Sequence, residues 1–327
     1  MRLAYFDFFE PDTLQEMFTI MERYGKRVRL LAGGTDIIPL MKFGLITSPY
    51  LLGLKNLPEL KGIKRQGQNV HIGAMTTLTG IVASGLISKH LPALHEAALA
   101  VAAPPIRNVA TIGGNLFQNS RCLFYNQSST WRLEREACLK AGGKTCLAVP
   151  GSKKCFSVYQ GDLAPALIVH EARVRIEKKR GKPREIAVRE LFTGQGHEPV
   201  RRAAGEVATE IIVPIPGNRM GSGYRKLRLR SAMDYPLAGA AAFVSAAKGT
   251  IDSARIVLSA AGPAPVVVPL NGFIIGKKPA DVDLESVGES IPKNLPIVNN
   301  SVAPAWYRRK MLAVFAKRAM QAALERL

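Results

Sequence analysis

The stretch "VRLLAGGTDIIPLMK", residues 28–42, changes character twice in quick succession. Val28 to Leu31 reads as a short buried strand, Gly33 and Gly34 make a tight turn, and the chain is apolar again from Ile37. A strand, a glycine turn and a backbone able to accept an anion are the parts of a cofactor site. The same parts also build turns that bind nothing, and on these residues alone both readings stand.

Upstream, "TLQEMFTIMERYG" places Leu14, Met17, Phe18, Ile20 and Met21 on one helical face, with Gly25 as the stop. Downstream, "NVHIGAMTTLTGIVAS" (69–84) reads as a strand entering a helix. "LPALHEAALAVAAPPIRNVATIGGNL" (91–116) reads as an alanine-rich helix halted before Pro104 and Pro105, then a second glycine turn at Gly113 and Gly114. Neither turn is a GxGxxG opening a helix or a GxxxxGK[ST] loop, so neither a Rossmann nor an ATP-binding reading is warranted. "VYQGDLAPALIVHEARVRI" looks like a loop feeding two strands, and "EKKRGKPRE" like a surface hairpin. Composition changes near "IIVPIPGNRMGSGYRK", a linker into an α+β unit that closes on a long helix striped by Leu312, Phe315, Ala316, Ala319 and Ala323.

With 327 residues, 47% of them apolar, the chain can bury large cores and divides into more than one domain. No run is long and apolar enough for a membrane span. The start "MRLAYFDFFEPD" lacks the pattern of a secretory leader, which makes the cytoplasm the expected location. The formal charge of +20 invites a nucleic-acid reading, but the basic residues are scattered and lack interleaved aromatics. No nucleic-acid partner is expected; an acidic protein or an anionic ligand suits the charge better.

All four cysteines, Cys122, Cys138, Cys146 and Cys155, fall within "RCLFYNQSSTWRLEREACLKAGGKTCLAVPGSKKCF", residues 121–156. Their wide spacing lacks the close CxxC pair of zinc ribbons and thioredoxins. Flanking Arg121, Lys140, Lys144, Lys153 and Lys154 argue against ordinary core thiols and would partly offset the charge of thiolates. An iron–sulfur centre, zinc and no metal all remain open on spacing alone.

Taken together, "AGGTD" (32–36) and "RNVATIGGN" (107–115) resemble the paired flavin loops of the FAD-binding subunits of molybdenum hydroxylases. That group includes xanthine dehydrogenase, carbon monoxide dehydrogenase and 4-hydroxybenzoyl-CoA reductase. The resemblance runs on through "GDLAPAL" (161–167), "YRKLRLRSAMDYPLAGAAA" (224–242) and "WYRRKMLAVFAKRAM" (306–320), covering nearly the whole chain. It implies an α+β fold: a two-part FAD-binding domain of the PCMH or vanillyl-alcohol-oxidase type over 1–215, with subdomains of about 1–55 and 56–215. Residues 216–327 would form the C-terminal domain of carbon monoxide dehydrogenase flavoprotein subunits. It implies FAD held by Ala32, Gly33, Gly34, Thr35 and Asp36 on the first loop and by Thr111, Ile112, Gly113, Gly114 and Asn115 on the second. Asp162 would lie near the flavin and Lys226 would reach it from the C-terminal domain, although a turn-capping aspartate and a solvated lysine are the plainer readings.

The cysteine-bearing stretch, about 118–158, is an insertion relative to most of that family and is similar to that of the β subunits of 4-hydroxybenzoyl-CoA reductases. This finer resemblance implies a [4Fe-4S] cluster on Cys122, Cys138, Cys146 and Cys155. It also implies ferredoxin as electron donor, and transfer through cluster and FAD to a small subunit with two [2Fe-2S] clusters and a molybdopterin-containing large subunit. The complex, a dimer of heterotrimers, would reductively dehydroxylate 4-hydroxybenzoyl-CoA to benzoyl-CoA, with no catalytic residue on this chain. The alternative is the FAD subunit of another molybdenum hydroxylase, of the xanthine, aldehyde or carbon monoxide dehydrogenase type.

Overall fold

The computed structural model of the protein describes residues 3–201, 203–215, 219–270 and 272–327. The helix predicted near the amino end forms as α1 (Leu14–Tyr24). The Thr13 hydroxyl accepts the Glu16 N–H at its start, Met17, Phe18 and Met21 are buried, and Gly25 ends it at a φ of 55°. Beside it, β1 (Asp7–Phe9), β2 (Val28–Leu31) and β3 (Tyr50–Gly53) form a parallel sheet in the order β1-β3-β2. The α1 residues share a separate core with Leu52, Leu54, Leu57 and Leu60. The turn after β2 leads into α2 (Ile37–Lys42).

A second layer follows. It comprises β4 (Ile63–Gln66), β5 (Asn69–Gly73), α3 (Leu78–Ala83), α4 (Gly85–His90), α5 (Pro92–Ala100), α6 (Pro104–Arg107), α7 (Ile112–Leu116), α8 (Ser129–Leu133) and α9 (Leu163–Val169). It is completed by β6 (Arg173–Glu177), β7 (Arg184–Ala187), β8 (Phe192–Gln195), β9 (Glu198–Val200) and β10 (Val207–Pro214). Five of these strands pair antiparallel in the order β4-β5-β10-β6-β7, and β6 with β7 is the expected hairpin. Leu78, Ile81, Leu94 and Leu167 from the helices share a core with Val70, Ile72, Val174 and Ile211 from the sheet.

In the carboxy-terminal part, β11 (Arg219–Leu227), β12 (Ala238–Ala247), β13 (Thr250–Ser259) and β14 (Val266–Val267) form an antiparallel sheet. After α10 (Leu284–Glu289), the long helix α11 (Ala305–Leu324) buries Leu312, Phe315, Ala316, Ala319 and Ala323, the stripe read from the sequence. β12 is covered on both faces. Ala240, Ala242 and Val244 pack in the core that includes α11, while Ala241 and Phe243 join the core of the second layer.

Two local readings are corrected. "LAPALIV" is the wholly buried helix α9 and not a strand, because a short, continuously apolar run carries no period to distinguish the two. The second glycine pair is the first turn of α7, capped where the Thr111 hydroxyl accepts the Gly114 N–H at 3.0 Å. Most of the stretch expected as a linker, 211–226, is strand, since β10 runs to Pro214 and β11 begins at Arg219; Pro216, Gly217 and Asn218 lie outside the described residues.

His170, just after α9, packs between the second layer and the C-terminal sheet. Its ring is buried edge-on against Phe243, with Nε2 3.0 Å from Ser222 Oγ, which also accepts the Ala93 N–H at 3.1 Å. Burial first, and the charge of Arg255 second, lower its pKa from 6.5 to about 3. A folded-state value below the unfolded one means that the site contributes fully above pH 6.5 and loses that contribution as the pH falls toward 3. Between pH 7 and pH 5 the unfolded chain alone takes up this proton, so stability should drop by about 2 kcal/mol from His170. Urea unfolding across that range should show the drop, and His170→Gln should remove most of it; an identical slope in the variant would contradict the assignment.

Candidate functional site

The turn after β2 and the start of α7 lie face to face. A Cβ on Gly33 would run into the backbone carbonyl of Val109, and one on Gly114 would sit 3.6 Å from the Cβ of Ala32. Gly34 takes a φ of 72°, which L side chains rarely adopt. Among the described residues, the N–H groups of Gly33, Gly34, Thr35 and Asp36 find no hydrogen-bond acceptor. Consecutive free amides beside glycines are what an anionic group needs for close approach.

The facing loop is built differently. Its amides from Ile112 to Asn115 are already engaged: Ile112 N–H to Thr76 O at 3.0 Å, Gly113 N–H to Ala74 O at 2.9 Å and Asn115 N–H to Thr111 O at 2.9 Å. With the Gly114 amide held by Thr111, this loop is a rigid wall, whereas the first loop has the donors to spare. Asn115 ties the wall to the start of α9, since its Oδ1 accepts the Leu163 N–H at 3.3 Å.

Asp162 and Lys226 form a buried pair at 3.0 Å, with side chains only 5% and 3% exposed. Tyr224 Oη donates to the other carboxylate oxygen at 2.6 Å, and Lys226 Nζ also donates to Ala100 O at 3.1 Å. Burial raises the Asp162 pKa, against the opposing effects of Lys226 and Tyr224. Both plainer readings fail here, because Asp162 makes no side-chain cap to α9 and Lys226 is out of solvent. The pair instead joins the second layer to β11.

Sequence reasoning missed three members of the site, Asn119, Arg121 and Tyr235, which gather around Asp36. Asp36 receives Arg121 Nη2 at 2.6 Å and the Asn119 N–H at 3.0 Å, and the Arg121 guanidinium lies 4.2 Å from the centre of the Tyr235 ring. Arg121 Nε is buried and has no partner among the described residues. Its position beside Cys122 suggests that Arg121 offsets thiolate charge, but its actual partner lies 85 positions away. No local signal in the sequence could have paired them.

The four cysteines line one small cavity with Phe124, Leu139, Lys140, Leu147 and Ala148. All are free, and Cys138, Cys146 and Cys155 are buried. Yet among the described residues no group of three or more histidine, cysteine, aspartate or glutamate side chains is placed to hold a metal ion. This overturns the expected [4Fe-4S] cluster and the ligand assignment to Cys122, Cys138, Cys146 and Cys155. The physical reason is that the stretch folds a small apolar centre of its own. Burial raises the Cys122 and Cys155 thiol pKa values, favouring the neutral, apolar form. Lys140 turns inward, and burial lowers its pKa to about 8 against the pull of Cys155 and Cys122.

Comparison with known proteins fits the geometry. The family described as "FAD binding domain in molybdopterin dehydrogenase" matches residues 4–216, and the "CO dehydrogenase flavoprotein C-terminal domain" matches 222–323. The carbon monoxide dehydrogenase medium chain of Afipia carboxidovorans is 28% identical over 98% of this chain and 97% of the relative. The xanthine dehydrogenase FAD-binding subunit of Escherichia coli O157:H7 is 25% identical over 91% of this chain and 89% of its own. Among solved structures, reconstituted carbon monoxide dehydrogenase from Oligotropha carboxidovorans aligns over 100% of both chains, with a TM-score of 0.81 and 26% identity. The fold is therefore the two-part FAD-binding domain followed by the flavoprotein C-terminal domain, as expected. None of these relatives is a 4-hydroxybenzoyl-CoA reductase, and with the metal site gone the β-subunit assignment and its dehydroxylation of 4-hydroxybenzoyl-CoA fall as well.

Lys226→Met would leave Asp162 buried without its cation, a change expected to cost about 3–5 kcal/mol. Asp162→Asn in the same chain should recover much of that loss. Chemical denaturation of the two single variants and the double variant measures the coupling; additive losses would show that the pair does not act as one.

Proposed function

Since the chain belongs to the family of FAD-binding domains of molybdopterin dehydrogenases, we propose that it is the FAD-binding, electron-transferring subunit of a molybdenum-hydroxylase-type complex. The observation that carries this reading is the first loop: four consecutive amides without acceptors, two glycines, and a rigid wall opposite. Ala32 through Asp36 would hold the pyrophosphate of FAD, with Thr111 through Asn115 shaping the other side. Lys226 and Asp162 would fix the edge of the site where the C-terminal domain meets it. FAD, when bound, supplies a redox centre that can exchange electrons singly or in pairs. The protein's own residues bind it, exclude water and set the charge around it. The domain division we propose is 1–215, with subdomains near 1–55 and 56–215, and 216–327.

Similar subunits carry the names of enzymes acting on carbon monoxide, xanthine and caffeine. That range supports placing substrate chemistry on another subunit, and it favours the xanthine, aldehyde or carbon monoxide dehydrogenase type for the complex. The partners proposed are a molybdopterin-containing large subunit and a small iron–sulfur subunit. The charge of +20 supports an acidic carrier outside the complex, of which a ferredoxin is one kind. Among the described residues no helix is long and apolar enough to cross a membrane.

Titration of the flavin-free chain with FAD, followed by quenching of flavin fluorescence, tests the reading. One FAD should bind per chain. Gly34→Val forces a branched side chain into a φ of 72° and should weaken binding by about 100-fold or more. Unaltered affinity in that variant would sink the assignment of the first loop.

A further inference from the structure

An anion-binding loop that ends in an aspartate has an electrostatic problem. Asp36 belongs to the same short turn as the four free amides, and an unpaired carboxylate there would repel the phosphates that the amides attract. Arg121 meets that carboxylate at 2.6 Å and the Asn119 N–H donates to its second oxygen at 3.0 Å, so both oxygens are occupied.

Arg121 is itself held on several sides. Its backbone exchanges two hydrogen bonds with Val158, each 2.8 Å, where the thiol-bearing stretch rejoins the body of the protein. Tyr235, from the C-terminal domain, covers its guanidinium plane. Lys140 fastens the segment just before it, donating to Asn119 Oδ1 at 2.9 Å, Ser120 O at 2.8 Å and Gly196 O at 3.1 Å. The first loop, the thiol-bearing stretch and the C-terminal domain therefore meet at one guanidinium.

We propose that Arg121 is the positioning residue of the flavin site, cancelling the charge of Asp36 and fixing the direction of the Gly33–Asp36 amides toward an anionic cofactor. This rests on the FAD reading above. It gives the thiol-bearing stretch a task that needs no metal: it is the back support of the first loop, and its root supplies the cation. The buried Nε–H of Arg121, which has no partner among the described residues, is one further donor at the same place.

The test is FAD titration of the wild-type chain, Arg121→Ala, Arg121→Gln, Asp36→Asn and the double variant Arg121→Ala/Asp36→Asn. Loss of the arginine alone should weaken FAD binding about 30- to 100-fold, because it leaves a bare carboxylate beside the phosphates. Removing that carboxylate as well should restore at least tenfold of the loss, a rescue that damaged packing would not give. Arg121→Gln keeps most of the side-chain volume and should lose affinity as the alanine variant does, so it carries the test if the smaller residue prevents folding. Wild-type affinity in Arg121→Ala or Arg121→Gln, or absence of rescue in the double variant, overturns the inference while the FAD reading stands. A wild-type chain that takes up no FAD overturns both.

Discussion

Gly33 passes so close to the backbone carbonyl of Val109 that no side chain could occupy its place. That contact sets how closely the small parallel sheet approaches the helices of the second layer. The surrounding structure serves this approach. α7 commits its amides to Thr76, Ala74 and Thr111 and becomes a fixed wall, Asn115 ties that wall to the start of α9, and the buried Asp162–Lys226 pair draws the C-terminal sheet against it. Among the described residues the amides of Gly33 to Asp36 stay open, and Arg121 neutralises the aspartate of the same loop.

Much of this was legible in the sequence, for identifiable reasons. α1 has a clear period and a glycine stop, and α11 carries its apolar stripe over many turns, so both could be read locally. The strand and glycine turn at Val28 to Gly34 were equally plain. α9 was not, because every residue in it is buried and a helix covered on all sides shows no alternation. The role of Asp36 was also hidden, since its partner Arg121 is brought to it only by the tertiary fold.

The cysteines show how composition misleads. Flanking lysines made residues 121–156 look too polar for buried thiols, yet Leu139, Leu147 and Phe124 close a small cavity around the sulfur-bearing residues. Part of the basic complement behind the net charge of +20 is likewise spent inside the protein. Arg308 is 1% exposed and spends its guanidinium on the carbonyls of Leu237, Val298 and Ala260, while Lys140, Arg121 and Lys226 are likewise committed inside the protein. A basic sequence is thus partly a record of internal carbonyls and carboxylates that need donors.

The contrast between one loop with open amides and one with engaged amides is the centre of this account. Amide hydrogen exchange, resolved by residue and compared with and without FAD, addresses it directly. Exchange at Gly33, Gly34, Thr35 and Asp36 should be fast in the flavin-free chain and slow markedly when FAD is added, while Ile112, Gly113 and Gly114 should be slow in both. Protection by FAD at the second loop with none at residues 33–36 would contradict the account.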